Sequence, residues 1–444
     1  ELCHKAGAKA YVTLNIFPFD DDLPGMLDTA IRLRDMGVDA AIVSDIGALD
    51  MLNNRAPGLE LHLSTQANTM NARSAEIAHG LGAKRVILAR EMSLKRIRRL
   101  RAELSPDCQI ETFVHGAMCM SYSGRCVLSD YLTGRGANRG ACAQPCRWQY
   151  AVVEQKRPGE YMPVEADERG TYIFSSGDMR MLEHMPDLMN AGIDSLKVEG
   201  RMKSPDYVYA VISAYRGALD ALADGGEKDA RADAARHRTL RRVFNRDFTD
   251  AYLWGRSGDE MMSYERSNNR GELVGEVVSS RKLEDTLVRR GGSDGGRERM
   301  RRLTRADVEI RLDQPVGEGD LLELRPLDDP SQFLTVRAER AAAAGETITC
   351  RASRPIPAGA VVRVIRSQAA MDAAARVSGL DVHRERAGAP GRAVLGDACL
   401  CGRECRCHGR GLCGGACPHQ GCDQGGPYRA RGSHGAEPLR ARLV

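Results

Sequence analysis

The 444-residue chain has no long apolar stretch, only 2 Trp and 7 Phe, and almost no excess of either charge. Nothing approaches the roughly 18 consecutive apolar residues of a membrane-spanning helix, so no membrane span is expected. Lys and Arg number 64 against 60 Asp and Glu, a net charge of +4, and bulk electrostatics therefore make no case for nucleic acid. Two local basic runs, Lys95–Arg101 and Arg289–Arg305, read first as solvated surface and second as a nucleic-acid contact. The H-E-x-x-H helix of zinc proteases and the G-x-S-x-G nucleophile elbow are also missing. The opening ELCHKAGAKAYV has neither the basic-then-apolar order of a signal peptide nor an initiator Met. It reads as the inside of a helix, which is what a chain shortened upstream would show. A reducing cytoplasm is the expected location, and nothing indicates an oligomeric state.

What is present is a regular alternation. Short apolar runs at Ala10–Ile16, Ala40–Ser44, Leu61–Thr65, Arg85–Ala89, Ile110–His115 and Ser195–Glu199 are separated by helical patterns such as Pro24–Met36 and Ala72–Leu81. Buried parallel strands read as such runs, and their alternation with helices implies βαβ units. Six strands fit a doubly wound sheet or a (β/α)8 TIM-type barrel lacking its first two strands. The barrel is the expectation, because polar residues recur where the runs end: Asn15, Asp45, Gln66, Arg90, His115 and Glu199. Barrel enzymes place their chemistry at those strand ends. From Gly271 to Arg366 six short alternating segments, from ELVGEVVSS to AVVRVIRS, predict a small antiparallel β-barrel.

The expected domains are a truncated barrel over 1–225 with a Cys-rich insertion at 116–171, a helical linker over 226–270, the β-barrel over 271–366, and an irregular tail over 367–444. The stretch Cys399–Cys422 of that tail holds seven of the 14 cysteines at spacings that fit no regular metal template. It reads as low complexity, with a zinc-binding tail as the alternative.

Function points to the insertion. Cys119, Cys126, Cys142 and Cys146 have six, fifteen and three residues between them. Four thiols this close, with no export signal, point to a metal or an iron–sulfur cluster before disulfides. Structural zinc favours two close C-x2-4-C pairs, and only Cys142 and Cys146 approach one. Thiolates are soft, charged ligands, and four complete the outer coordination of a 4Fe-4S cluster. The alternative is that some are packing cysteines or a reactive thiol.

The run Glu111-x-Phe113-x-His115-Gly116-Ala117-Met118-Cys119, then Ser123-Gly124-Arg125-Cys126-Val127-Leu128-Ser129, resembles the signature of the collagenase-like peptidases of family U32. The similarity continues through GACAQPCRW, PGEYMPVEADERGTYIFSS, GIDSLKVEGRMKSPDYV, FNRDFTDAYLWG and MMSYERSNNRGELVGEVVS. The resemblance implies more than the peptidase name. Members with these cysteines are linked to oxygen-independent or prephenate-dependent hydroxylation of a tRNA wobble uridine, a ribosomal-RNA cytosine or a ubiquinone precursor. It also implies a 4Fe-4S cluster held by Cys119, Cys126, Cys142 and Cys146. Some ubiquinone-related members lack the cysteine matching Cys146, so this chain sides with the RNA-modifying branch, with tRNA or rRNA as partner. It departs from the family in lacking the first barrel strands and in its final segment.

Around the expected mouth, Lys197 and Glu199 lie two apart in a strand and point to one face. They are candidates for a base–acid pair or anion clamp, or for a structural ion pair. His115 is a candidate proton donor, or a hydrogen-bonded structural histidine. Arg90, Arg125 and Arg201 are candidates for the carboxylates of prephenate, since Arg binds carboxylates bidentately; Glu91 is positioned to pair with Arg90. A thiol peptidase would need a Cys–His pair, and His115 with Cys119 is the close candidate. Cys119 cannot easily be nucleophile and cluster ligand at once.

Overall fold

The computed structural model describes residues 2–153, 161–163, 174–200, 202–224, 229–255, 258–283, 286–290, 299–303, 305–378 and 442–443. The strands of the first half are β1 (Tyr11–Leu14), β2 (Ala40–Val43), β3 (Leu61–Leu63), β4 (Ala83–Ile87) and β5 (Gln109–Ala117). A hairpin of β6 (Ala151–Val153) and β7 (Tyr161–Pro163) follows, then β8 (Asp178–Arg180), β9 (Ser195–Val198) and β10 (Phe248–Thr249). Strands β1 to β5 pair in sequence order and in parallel, and β5 pairs parallel with β9. Near its end β5 also pairs antiparallel with β8, which carries β10.

The six predicted runs are therefore strands, and the α/β alternation holds. The expected TIM-type barrel lacking its first two strands is not confirmed. Among the described residues β1 pairs with β2 alone and β10 with β8 alone, so the strands form an open, mostly parallel sheet.

Every residue of β2 is buried, as expected for a strand covered on both faces. Helices supply the cover. The helix Ile46–Arg55 is capped by Asp45, whose carboxylate accepts from the Ala48 N–H at 2.8 Å. Asp45, expected at the mouth, thus has a structural duty. In the helix Pro205–Ala223 the buried residues Tyr207, Ala210, Val211, Ala214, Tyr215, Ala218 and Leu219 recur at spacings of three and four and make one continuous stripe. The end of strand β8, a 3-10 turn and the short helix Met185–Asn190 cover the stretch from Met179 to Asn190.

A second core lies in the antiparallel sheet of β11 (Glu272–Lys282), β14 (Ala306–Leu312), β15 (Leu321–Arg325), β16 (Leu334–Arg337), β17 (Thr347–Ala352) and β18 (Val361–Arg366). A hairpin, β12 (Thr286–Arg290) and β13 (Arg299–Leu303), projects from it. The order β16-β15-β18-β11-β14-β17 brings the two end strands face to face and nearly closes the barrel. Burial alternates strictly along β14 and β17, as one inward face requires.

Two boundaries differ from expectation. Residues 226–270 are not a mere linker: Leu240, Val243, Ala251 and Leu253 are buried in the first core, and β10 joins its sheet. The helix Gln368–Ser378, assigned to the tail, packs on Pro205–Ala223 through Ala370 and its neighbours. Pairs of low exposure, Arg242–Glu272 at 2.5 Å and Arg266–Glu323 at 2.5 Å, tie the two cores together. The Cys399–Cys422 stretch lies outside the described residues. No helix among the described residues is long and apolar enough to cross a membrane.

Candidate functional site

The cysteine stretch leaves β5 at its carboxyl end and folds over the carboxyl ends of β1, β3 and β4. Several polar contacts seat it there. Ser123 donates its N–H to Glu91 at 2.9 Å, Arg125 reaches the Ala67 carbonyl at 3.3 Å, and Arg139 forks onto Asp22 at 2.8 and 2.9 Å. Gly124 has a φ of +78°, and a Cβ there would meet the Gln66 side chain at 2.6 Å, so glycine is what lets the loop approach that strand end.

Inside the loop the Ser129 hydroxyl donates to the Arg135 carbonyl at 2.7 Å and accepts from the Ala143 N–H at 2.9 Å. Arg147 closes the stretch. It is buried, and it reaches the Met118 carbonyl at 2.9 Å, the Ser175 hydroxyl at 3.2 Å and the Ser176 carbonyl. Because Met118 precedes Cys119 and Arg147 follows Cys146, one guanidinium clamps the first and last thiols of the set.

The loop carries all four thiols. Burial pushes the Cys146 thiol up, Arg147 beside it pulls down, and Cys119, Cys142 and Cys126 each add a smaller upward push. The Cys142 sulfur accepts the Gln144 N–H at 3.3 Å, with Gln144 in the left-handed region at a φ of +57°. All four are free thiols, Cys119 and Cys142 exposed, Cys126 and Cys146 half-buried.

Among the described residues no three His, Cys, Asp or Glu side chains converge tightly enough for a single metal ion. One zinc ion would need its thiolates about 2.3 Å from one centre, whereas a 4Fe-4S group has a body of its own and keeps its four thiolates further apart. An all-thiolate donor set with a backbone N–H aimed at one sulfur fits such a cluster.

The candidate catalytic residues do not gather as a unit. Lys197 puts its ammonium 2.9 Å from Glu111 Oε1, and no contact joins it to Glu199 among the described residues. Glu111 is fully buried, and Arg85 takes its other oxygen at 3.0 Å while Ser195 donates to that oxygen at 2.8 Å. Burial raises the Glu111 carboxyl, but Lys197 and Arg85 prevail and hold it at about 2. Lys197 thus pairs with Glu111 and not with Glu199.

Glu199 is half-buried and donates its N–H to the His115 carbonyl at 2.8 Å. His115 is buried among the rings of Tyr207, Tyr215 and Phe248, with its Nδ1 3.4 Å from the Tyr215 hydroxyl. Burial, with Arg180 and Lys203 adding repulsion, pushes its pKa down to about 3, so the ring is neutral. That is the structural histidine of the two alternatives.

Arg90 stacks on Phe113 at 4.0 Å and donates to the Ala117 carbonyl at 2.6 Å; its buried Nε has no partner. Glu91 accepts from Ser123 and does not pair with Arg90. Lys197 also lies 5.7 Å from the Phe113 ring centre, so Arg90, Phe113 and Lys197 share one location. Arg125 is exposed at the rim near Phe17. Arg201 lies outside the described residues.

Sequence reasoning passed over a second group. Arg246 bonds Asp178 at 2.9 Å and Gln144 at 3.5 Å and repels Arg147; Lys203 sits 3.1 Å over the Phe244 ring. Burial, then Arg246, lowers the Lys203 ammonium to about 8. Cationic residues therefore back the thiols and suit a site that carries negative charge. The signal available was the arginine immediately after Cys146, and Glu111 inside an otherwise apolar strand.

Fold and site together define a mixed α/β protein with a cation-backed group of four thiols at the carboxyl edge of a parallel sheet. The model of peptidase family U32 matches residues 1–263, more than half of the chain, and the protein belongs to that family. It is 36% identical over 321 residues to the tRNA hydroxylation protein P of Escherichia coli, covering 63% of this chain and 70% of that protein. It is 35% identical over 282 residues to the 23S rRNA 5-hydroxycytidine synthase of Escherichia coli, covering 62% of this chain and 41% of that one. It is also 36% identical over 264 residues to a collagenase of Porphyromonas gingivalis, covering 57% and 62%. The chain thus spans less than two thirds of the synthase and of the collagenase.

Proposed function

We propose that this protein hydroxylates a nucleobase in RNA, a tRNA wobble uridine or a cytidine of 23S rRNA, with prephenate as co-substrate and a 4Fe-4S cluster on Cys119, Cys126, Cys142 and Cys146. The observation that carries the reading is the single loop that holds all four thiols at the carboxyl edge of the sheet, with the buried Arg147 fastening its two ends. Two relatives named for RNA hydroxylation, at 36% and 35% identity, support the substrate class.

When bound, a 4Fe-4S cluster supplies one-electron chemistry or a Lewis-acidic iron. The chain's own residues do the rest. Arg147 holds the two ends of the thiol loop at fixed separation. The exposed Arg125 and the unpartnered Nε of Arg90 offer charged donors to the carboxylates of a small dianion. Lys197 is committed to Glu111 and keeps the floor of the sheet charged and closed.

Anaerobic purification tests the cluster: a brown protein with about four irons per chain is expected, and colour lost in Cys126→Ala. A colourless protein holding one zinc overturns it. Mass spectrometry of tRNA and rRNA from a strain lacking the gene tests the reaction; an unchanged set of hydroxylated bases overturns that. The collagenase relative supports a second reading, a peptidase. It requires gelatin cleavage that survives loss of Cys142 or Cys146.

A further inference from the structure

A cleft of about 810 Å³ lies between the parallel-sheet body and the β-barrel. Arg180 of β8, His237, Arg238 and Arg241 of the helix Ala230–Arg241, and Arg363 of β18 line it. Three carboxylates share the wall, and each has a cation already. Glu183 holds Arg180 at 2.5 Å, Asp247 holds Arg270 at 3.1 Å, and Glu272 holds Arg242 at 2.5 Å. Arg238, Arg241 and Arg363 have no carboxylate within ion-pairing distance among the described residues.

We propose that this cleft seats the phosphate backbone of an RNA strand, with Arg238, Arg241 and Arg363 as the phosphate-binding residues. The inference rests on the RNA-modifying reading above and names the surface that grips the substrate. Basic side chains in the last turn of a helix favour its dipole, which gives Arg238 and Arg241 a structural reason. It gives none for Arg363, which comes from the second core and faces the same space. Converging cations repel one another; Asp247 and Glu265 offset part of that at Arg363, where Arg270 and Arg266 add to it, and an anion bound between the three arginines relieves the rest. All three are arginines, whose planar fork matches a phosphate bidentately. The space is larger than one phosphate needs and runs between two bodies, as a chain of phosphates requires.

The cleft also adjoins the thiol site. Asn245, Asp247 and Phe248 line it, while the intervening Arg246 turns the other way to Asp178 and the neighbourhood of Arg147. One short segment, with Asp247 in the left-handed region at a φ of +64°, thus has the cleft on one side and the surroundings of Arg147 on the other.

The test is fluorescence-anisotropy titration of a labelled, unmodified tRNA transcript with the full chain between about 50 and 200 mM salt. The variant is Arg238→Gln/Arg241→Gln/Arg363→Gln; its control, Arg55→Gln/Arg73→Gln/Arg376→Gln, makes the same charge change on exposed helix surface. The cleft variant should bind at least about 10-fold more weakly, with the log K against log salt slope reduced by about 2 to 3. A thermal midpoint matching the parent separates this from unfolding, and Arg363→Gln alone should take about a third of the slope change. Equal weakening by both variants, or an unchanged slope, overturns the cleft assignment while RNA binding itself stands. Loss of polyglutamate binding in the cleft variant with tRNA binding intact overturns it in favour of an acidic polypeptide. Absence of tRNA binding by the parent chain overturns both the cleft and the RNA reading.

Discussion

Lys197 Nζ lies 2.9 Å from Glu111 Oε1, and Arg85 Nη1 lies 3.0 Å from Oε2, so one buried carboxylate carries two cations. Glu111 is the hub of that group, and the cost of removing each member follows. Glu111→Gln leaves two cations facing each other out of water, and should cost about 3–5 kcal/mol. Lys197→Met leaves Glu111 paired with Arg85, and should cost less, about 1.5–3 kcal/mol. Urea midpoints of the two variants measure the order. The reverse order would make Lys197, not Glu111, the group on which the others depend.

His115 sets a second dependence. Its folded pKa of about 3 lies below the ordinary value of 6.5, so the unfolded chain takes up a proton between those limits and the folded chain does not. Stability therefore falls as pH drops below about 6.5, by up to about 1.4 kcal/mol per pH unit from this residue. Glu111 has the same sign in a lower window, its contribution being lost as pH falls from 4.5 towards about 2. His62, also buried and lowered by burial, adds a parallel slope above that window. His115→Asn should reduce the slope between roughly pH 6.5 and 4.5 by up to about 1.4 kcal/mol per pH unit. An unchanged slope in urea unfolding series would show that His115 is protonated in the folded state.

Strand positions were legible because a run such as Ala40–Val43 is buried on both faces and needs no partner to be recognised. The six β-barrel segments were legible for the opposite reason, since alternation along β14 and β17 writes one inward face into the sequence. Closure was not legible. Whether β1 meets another strand is decided by pairing at its far edge, which local periodicity does not encode. The thiols announced themselves by spacing, whereas the partners of Lys197 did not. Residues two apart in a strand share a face, so Glu199 looked near, but β9 ends at Val198 and Glu199 lies beyond it. Glu111 and Arg85 come from other strands, and only tertiary structure brings them to Lys197.

Gly116 of β5 has a φ of +113°, and a Cβ there would lie 2.5 Å from the Glu199 carbonyl oxygen. Backbone cannot step aside as a flexible side chain can. Gly116→Ala should therefore lose more than the roughly 1–2 kcal/mol of left-handed strain alone. A thermal midpoint within about one degree of the parent would mean that β5 and β9 are further apart than this. Gly140, also at positive φ (+80°) but with open space around it, is the control: Gly140→Ala carries the strain without the collision.

Arg147 is the residue whose loss should separate a gathered set of thiols from a scattered one. Its guanidinium ties Met118, Ser175 and Ser176 into one bundle, and removing it orphans the buried Ser176 carbonyl at about 1–3 kcal/mol, while the Met118 carbonyl keeps the Ser176 hydroxyl at 3.0 Å. Lysine keeps the charge but cannot reach three acceptors that diverge in one plane. The loop should then open at its ends first. In Arg147→Gln, chymotrypsin should cut faster after the exposed Tyr122, Tyr131 or Trp148, and anaerobically prepared protein should hold less iron than the parent. Arg147→Lys should fall between the two on both measures. Faster cleavage with full iron content would show that the thiols hold their positions without the clamp, and that Arg147 acts on the fold of the loop alone.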